Sequence, residues 1–353
     1  MKIAKIETFQ IETPRYYGVV SGHVIVKLHT ADGLVGLGEA SDSRAEDLHG
    51  LTKRYNELLV GRDATRITET NELLRAVDFG STVGNSHLTA AIDLALYDLN
   101  GKAQGVPACQ LMGGKVRDSV YFCYPIFGGH ERNADFLQRL VDLGHHLFRY
   151  YATGDSQADD RFLTEMKSRF GDKIRLKSVD FSGRFDDWEP ALRHADALRH
   201  HQPMHFEQPS NNLRVCAEFV GRVDMPVSLH IGDLEYGYEA IEQGACTILN
   251  LAWISWGPTY VRRMFALAEA AGLKTLLSTD QDSTVGTAGA VHLGVSVPNL
   301  DFPGDPAGPL LYTVSPARER IRAEKSHLYP PERPGLGVEL DEERMRELTV
   351  ASA

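Results

Sequence analysis

The chain has 353 residues, 42% hydrophobic and 24% charged, with a formal net charge of -11 at pH 7. That length exceeds one simple core and suits a barrel with a smaller accompanying domain, while the acidity excludes a nucleic-acid binder, which needs a basic face. No apolar run is long enough to cross a bilayer and the opening residues lack a signal-peptide core, so a cytoplasmic protein with no membrane partner is expected.

MKIAKIETFQI alternates apolar and polar residues, and HVIVKLHTADGLVGLGEA follows with a turn at Asp32-Gly33, which predicts an antiparallel meander. Between them Thr13-Pro14-Arg15-Tyr16-Tyr17-Gly18 reads as a polar and aromatic loop. From Ser43 to Asn100 the spacing predicts helices, most clearly in SHLTAAIDLALYDLNGKAQG, with Gly101 and Gly105 near its end. Cys109, Cys123, Cys216 and Cys246 lack CxxC spacing and read as reduced, buried side chains without chemistry.

From Val120 onward eight short apolar runs alternate with helix-like stretches: VYFCYPIF, HLFRYYAT, IRLKSVDF, MHFEQP, PVSLHI, TILNLAW, KTLLSTD and NLDFPG. Repeated strand–helix units with buried strands predict a parallel sheet, and eight of them predict a closed barrel. Tyr151 to Asp180 is 29 positions, Asp180 to Glu207 is 27 and Glu207 to His230 is 23. These match the roughly 30 residues per unit of a barrel, and each residue falls at or just past its run, at the mouth where barrels do chemistry. The tail RPGLGVELDEERMREL reads as a short strand and then a helix packing back on the first domain. The expected division is a capping domain over 1–119, a barrel over 120–318 and a returning segment over 319–353.

Asp180 and Glu207 on neighbouring strands point to a divalent cation with oxygen ligands, because two carboxylates held that close otherwise repel. The plainer reading makes each a helix cap or an arginine partner. The third ligand is either His230 or Asp233; Mg²⁺ is the first expectation, with Mn²⁺ or Zn²⁺ if the histidine binds. Arg149 and Tyr151 lie two apart and so share a face. There the arginine lowers the phenol pKa, making Tyr151 a base while Arg149 grips a substrate carboxylate, or the two simply pack the mouth. Trp253 and Trp256 offer apolar walls to a substrate. Asp280 and Asp282 either move protons or cap the following helix, and Asp301 and Asp305 shape a loop.

Taken together, TADGLVGLGEA, AAIDLALYDLNGKAQGVPACQLMGG, VDFSG, FEQP, GTAGAVHLGVSVPNLDFPGDPAGPLL and PGLGVELDE resemble the enolase superfamily, nearest to its mandelate racemase and muconate lactonizing enzyme branches, over nearly the whole chain. The resemblance implies a (β/α)7β barrel with an α+β capping domain built from both chain ends. It also implies removal of a proton beside a carboxylate, with Mg²⁺ stabilising the enediolate. On that pattern Asp180 and Glu207 are the first two metal ligands, and the segment around Tyr16 and Tyr17 closes on substrate.

The chain departs from the pattern at four places. His230 and Ile231 stand at the third acidic ligand, Arg149-Tyr150-Tyr151 replaces Lys-x-Lys, Ala252 replaces the sixth-strand lysine, and Ser278-Thr279-Asp280 replaces the racemase histidine. Mannonate dehydratases are similar in pairing a tyrosine base with an arginine, although their histidine two places past the first ligand is Ser182 here.

The expected function is a metal-dependent lyase that dehydrates a small carboxylate, such as a hydroxy or sugar acid. Tyr151 is its base, Arg149 binds substrate, and Asp280 or Asp282 is a secondary acid. An epimerase, racemase or cycloisomerase is the alternative, and a catalytically silent barrel with a binding role is the other. A homo-oligomer without organic cofactor is expected.

Overall fold

The alternating N-terminus forms β1 (Ile3–Pro14), β2 (Val20–Thr30) and β3 (Val35–Ala40), paired antiparallel in that order. The computed structural model describes residues 1–77, 85–129 and 132–353. Gly33 turns the second hairpin with φ +87, a conformation open to glycine. Thr13 and Pro14 belong to β1, so the expected loop is a shorter tip over residues 15–19.

Helices α1 (Leu48–Leu59), α2 (Ile67–Ala76), α3 (Asn85–Gln104) and α4 (Ala108–Leu111) follow. The part of the predicted helical stretch over 78–84 lies outside the described residues. α3 lies flat on β3 because both surfaces are small at the contact: a Cβ on Gly38 would sit 1.8 Å from the Ala91 carbonyl oxygen. Ile6, Val26, Leu28, Tyr55, Ile92 and Leu96 are buried between this sheet and the helices, forming the core of the capping domain.

The barrel begins after the short β4 (Val120–Tyr121). Its strands are β5 (Tyr124–Phe127), β6 (Leu147–Tyr151), β7 (Arg175–Asp180), β8 (His205–Glu207), β9 (Val227–Ile231), β10 (Ile248–Ala252) and β11 (Lys274–Ser278), parallel and in sequential order. The helices between them are α5 (Asn133–Asp142), α6 (Ser156–Phe170), α7 (Trp188–Leu198), α8 (Leu213–Val220), α9 (Leu234–Glu242) and α10 (Pro258–Ala270); α11 (Thr284–Ser296) follows β11.

Seven of the eight expected runs are thus strands. The eighth, residues 301–305, lies between the first and last of them: Phe302 and Asp305 donate backbone N–H groups to Thr275 and Leu277, while Gly304 bridges to Phe122. The architecture is a parallel barrel with a capping domain.

Beyond α12 (Gly308–Leu311) come β12 (Ala323–Glu324), β13 (His327–Leu328), α13 (Glu342–Leu348) and β14 (Thr349–Ser352). β14 pairs with the outer edge of β1, so the chain's end completes the first sheet. The tail's strand therefore follows its helix, the reverse of the predicted order. No helix among the described residues is long and apolar enough to cross a membrane.

Candidate active site

Strand register assembles the mouth. Tyr151 pairs with Asp180 and Asp180 with Glu207, so the three stand in one row at the C-terminal ends of β6, β7 and β8. On β9 His230 lies beside Asn250 of β10. The residues just past these ends hold positive φ: Ser182 at 54°, Gln208 at 46° and Gln281 at 60°. Such backbone costs about 1–3 kcal/mol per residue and collects at functional sites. Here it turns the chain aside while leaving the strand-end side chains facing the opening. Tyr151, Asp180, Gln208 and His230 line a cavity of about 440 Å³.

Asp180, Glu207 and His230 each place one donor atom within 4.8 Å of the other two. Glu207 is fully buried and heavily bonded. Its Oε1 accepts from Arg149 at 2.9 Å and from Asn250 at 3.0 Å, with His230 Nε2 at 3.1 Å. Its Oε2 accepts from Ser178 at 2.9 Å, with Lys177 Nζ 3.5 Å away. Burial opposes the charge on Glu207, yet Lys177 and Arg149, with hydrogen bonds from His205 and His230, hold it well below the usual carboxylate range. Asp180 moves the other way. Burial and the Glu207 charge push its carboxyl up to about 6, against Arg149 and His230.

Arg149 is committed inside this cluster. It bonds Glu207 at 2.9 Å, Asp305 at 3.0 Å and the Tyr151 hydroxyl, and it is 3% exposed. It therefore acts as an internal counter-cation to Glu207 and Asp305 in this structure. Tyr151 also differs from expectation. Burial lifts its phenol well above the usual tyrosine range, Asp180, Glu207 and Asp305 lift it further, and Arg149 opposes without prevailing. Its ring is stacked on that of Phe127 at 4.8 Å between centroids.

Several expected residues lie elsewhere. Asp233 caps α9, accepting from the Tyr236 N–H at 2.7 Å, which leaves His230 as the third donor. Trp253 is fully buried and donates to Asp282 at 2.9 Å, so neither faces the cavity. The Trp256 carbonyl accepts from Asn71 at 2.7 Å on the capping-domain side. Tyr17 is buried, donating to the Pro125 carbonyl at 2.9 Å, and Tyr16 lies under the Arg139 guanidinium at 3.7 Å. Both tyrosines thus pack against β5 and α5. Asp301 accepts from Lys274 and from the Thr275 N–H, fixing the start of β11.

Asp280 keeps a place at the mouth. Its carboxyl is raised by burial and by Asp42, and it feels the charges of His230 and Arg149. His87 of α3, which sequence reasoning missed, brings Nε2 to 3.9 Å from Asp280. Its Nδ1 is 2.8 Å from the Ser43 hydroxyl, which itself donates to the Ser41 carbonyl. Ser43 must then accept from Nδ1–H, so Nε2 carries the free lone pair. Burial lowers the His87 pKa, against Asp280 and Asp42.

Lys177 was missed as well, and Asp305 was read as shaping a loop. Lys177 is wholly buried, with Nζ 2.8 Å from Asp305 and 3.5 Å from Glu207. Three carboxylates (Asp180, Glu207, Asp305) thus face two buried cations (Arg149, Lys177) and the His230 imidazole.

The donors fit a divalent cation. The outer oxygen of Asp180 has Arg149 no nearer than 4.0 Å, and His230 can turn its lone pair inward by releasing Glu207. Two oxygens and one imidazole suit Mn²⁺ or Zn²⁺ at least as well as Mg²⁺.

Residues 132–344 match the family described as enolase C-terminal domain-like, and residues 19–113 match the mandelate racemase / muconate lactonizing enzyme N-terminal domain. The chain is 26% identical to a chloromuconate cycloisomerase of Pseudomonas putida, covering 99% of this chain and 100% of that one. It is 27% identical to muconate cycloisomerase 1 of Rhodococcus opacus, covering 92% and 90%. Among solved structures, muconate cycloisomerase from Pseudomonas fluorescens superposes with a TM-score of 0.89 at 26% identity over 99% of both chains. A mandelate racemase/muconate lactonizing family protein from Azoarcus sp. EbN1 gives 0.86 at 26% identity, covering 100% of this chain and 99% of that one.

Proposed function

The chain belongs to the mandelate racemase/muconate lactonizing enzyme group of the enolase superfamily and is an enzyme, and from that premise we propose that it is a metal-assisted isomerase of a small carboxylate. The observation that carries the reading is the convergence of Asp180, Glu207 and His230 beside Tyr151 at the barrel mouth. Asp180, Glu207 and His230 would hold a divalent cation, which would stabilise charge gathering on a substrate carboxylate as its α-proton leaves and would favour an anionic substrate.

The protein's own groups divide the proton work. Tyr151, held by Arg149 and Phe127, presents a phenolic proton to one side of the cavity. Asp280, with His87 behind it, supplies a second titratable pair in the same mouth. His230, Asp180 and Glu207 orient the carboxylate end. Two proton-handling groups suit removal and redelivery of a proton, the work of an epimerase or cycloisomerase. The relatives named above are cycloisomerases, and the expected dehydration of hydroxy or sugar acids gains no support from them.

The test is incubation with small mono- and dicarboxylates, cis,cis-muconate included, in D₂O with Mg²⁺, Mn²⁺ or Zn²⁺, followed by NMR. An isomeric product carrying solvent deuterium is expected, and Tyr151→Phe should lower turnover at least ~100-fold. Loss of water to a keto acid would instead identify a dehydratase. Absence of turnover and of deuterium exchange with every cation would leave a binding role for the barrel.

A further inference from the structure

A second convergence of metal-binding side chains lies in the outer helical layer and shares no residue with the mouth. Asp160 stands in α6. His200 and His201 stand in the 3₁₀ turn Arg199–His201, which leads towards the N-terminal end of β8, the end opposite the opening. His201 Nε2 lies 2.8 Å and His200 Nε2 3.1 Å from one and the same oxygen, Asp160 Oδ1. The three donor atoms fall within 4.8 Å of one another, and the two rings pack with centroids 4.0 Å apart.

Those separations are the edges of a coordination polyhedron. Ligands about 2.0–2.2 Å from a zinc-like ion stand roughly 3 Å apart when adjacent. Without an ion, two imidazoles spend their Nε2 protons on one carboxylate oxygen. With one, both protons move to Nδ1 and three lone pairs face a common point. The adjacent residues of a tight turn present both rings on one side, so little rearrangement is needed.

The site is also reachable and anchored. The side chains of His200 and Asp160 are 59% and 39% exposed, while that of His201 is 8% exposed. Three protein ligands leave positions for water. Two imidazoles and one carboxylate select borderline ions such as Zn²⁺, Ni²⁺ or Cu²⁺ over Mg²⁺, which prefers oxygen.

We propose that Asp160, His200 and His201 form a transition-metal site that clamps α6 to the turn before β8, separate from the cation site of the mouth. His200 and His201 also line, with Phe162 and Met166, a cavity of about 630 Å³ beneath this turn, so a bound ion would fix one wall of that cavity.

The test uses the full chain stripped with chelator, in a parent carrying Asp180→Asn and His230→Ala so that the mouth no longer competes. Calorimetric titration with Zn²⁺ should show one ion per chain in this parent, and Mg²⁺ should show none. His200→Ala and, separately, Asp160→Asn should weaken Zn²⁺ at least tenfold and abolish the rise in melting temperature that Zn²⁺ gives the parent. His200 is exposed, so its variant should melt with the parent when no metal is present. Equal Zn²⁺ affinity in the parent and both variants, or no Zn²⁺ bound by the parent, would overturn the proposal. Loss of the Zn²⁺ event in these variants, with the mouth already disabled, separates this site's fate from that of the proposed isomerase.

Discussion

His230 occupies a position where the resembled pattern has a carboxylate, and the consequence is a change in metal preference. An imidazole gives up one negative charge and offers a softer donor, which favours Mn²⁺ or Zn²⁺ relative to Mg²⁺. Replacing His230 with Asp should raise Mg²⁺ affinity about tenfold or more and weaken Zn²⁺, read by calorimetric titration of the chelator-treated protein. Unchanged affinity for both ions would remove His230 from the ligand set.

Asp180 and Glu207 were legible in the sequence because each ends an apolar run, and strand ends in a parallel barrel share one rim. Asp305 was not, since it sits in a Pro/Gly-rich segment that reads as a loop and gains meaning only when residues 301–305 fill the gap in the barrel. Arg149 was found, but its ion pairs were not. Nothing in FRYY shows that Glu207 and Asp305 already claim the guanidinium.

β7 shows how an element redirects a residue against its own alternation. Between Phe148–Arg149 of β6 and Leu176–Ser178 of β7 the register slips by one, and Lys177 is the extra residue. A bulge re-aims the side chain it contains. Lys177 thus reaches Asp305 and Glu207 inside the barrel while Ser178 and Asp180 keep the same interior face. A strict period of two puts Lys177 outside, so this cation was invisible in the sequence.

A second element-scale device is the seating of α11. Its exposed N-terminal N–H groups need acceptors, and Glu39 of β3 provides them. The carboxylate accepts from the N–H of Ser283 at 2.6 Å, the hydroxyl of Ser283 at 2.6 Å and the N–H of Gly286 at 2.7 Å. His23 stands 3.1 Å away on the same carboxylate. Burial opposes the charge, but these partners hold Glu39 below its ordinary value. Glu39→Gln turns an amide N–H towards a cluster of donors. It should cost about 3 kcal/mol, measured by urea unfolding with unchanged slope. A loss under about 0.5 kcal/mol would show that the helix end finds other acceptors. The motif GLGEA was legible as a strand, but its partner lies 244 residues away and cannot be read from local pattern.

At the scale of the whole molecule, the capping domain is fastened to the rest of the chain by buried carboxylates. Asp98 accepts from the backbone N–H groups of Leu37 and Leu336, each at 2.7 Å, and so ties α3 to the C-terminal segment. Asp93 reaches from α3 to the N-terminus of α10 in the barrel, accepting from the N–H and the hydroxyl of Thr259, each at 2.8 Å. Gly257 precedes that helix at φ +91, and a Cβ there would stand 2.6 Å from the Asp93 side chain, so the fit admits no other residue.

Burial outweighs the hydrogen bonds of Thr259 and Asn71, and the Asp93 carboxyl is pushed up to about 7 from 3.8. The sign then follows. Below the unfolded value both states hold the proton and the attachment is at full strength. Between about 4 and 7 the unfolded chain releases the proton while the fold retains it, so stability falls as pH rises.

Asp93→Asn holds a neutral side chain at every pH. Its unfolding free energy should therefore decline less than the parent's across pH 4.5 to 7, by about 1.4 kcal/mol per pH unit. Parallel urea titrations of both proteins give the comparison. Superimposable pH profiles would mean that Thr259 and the helix end keep Asp93 ionised after all. The same α3 carries His87, whose Nε2 stands 3.9 Å from Asp280 at the barrel mouth.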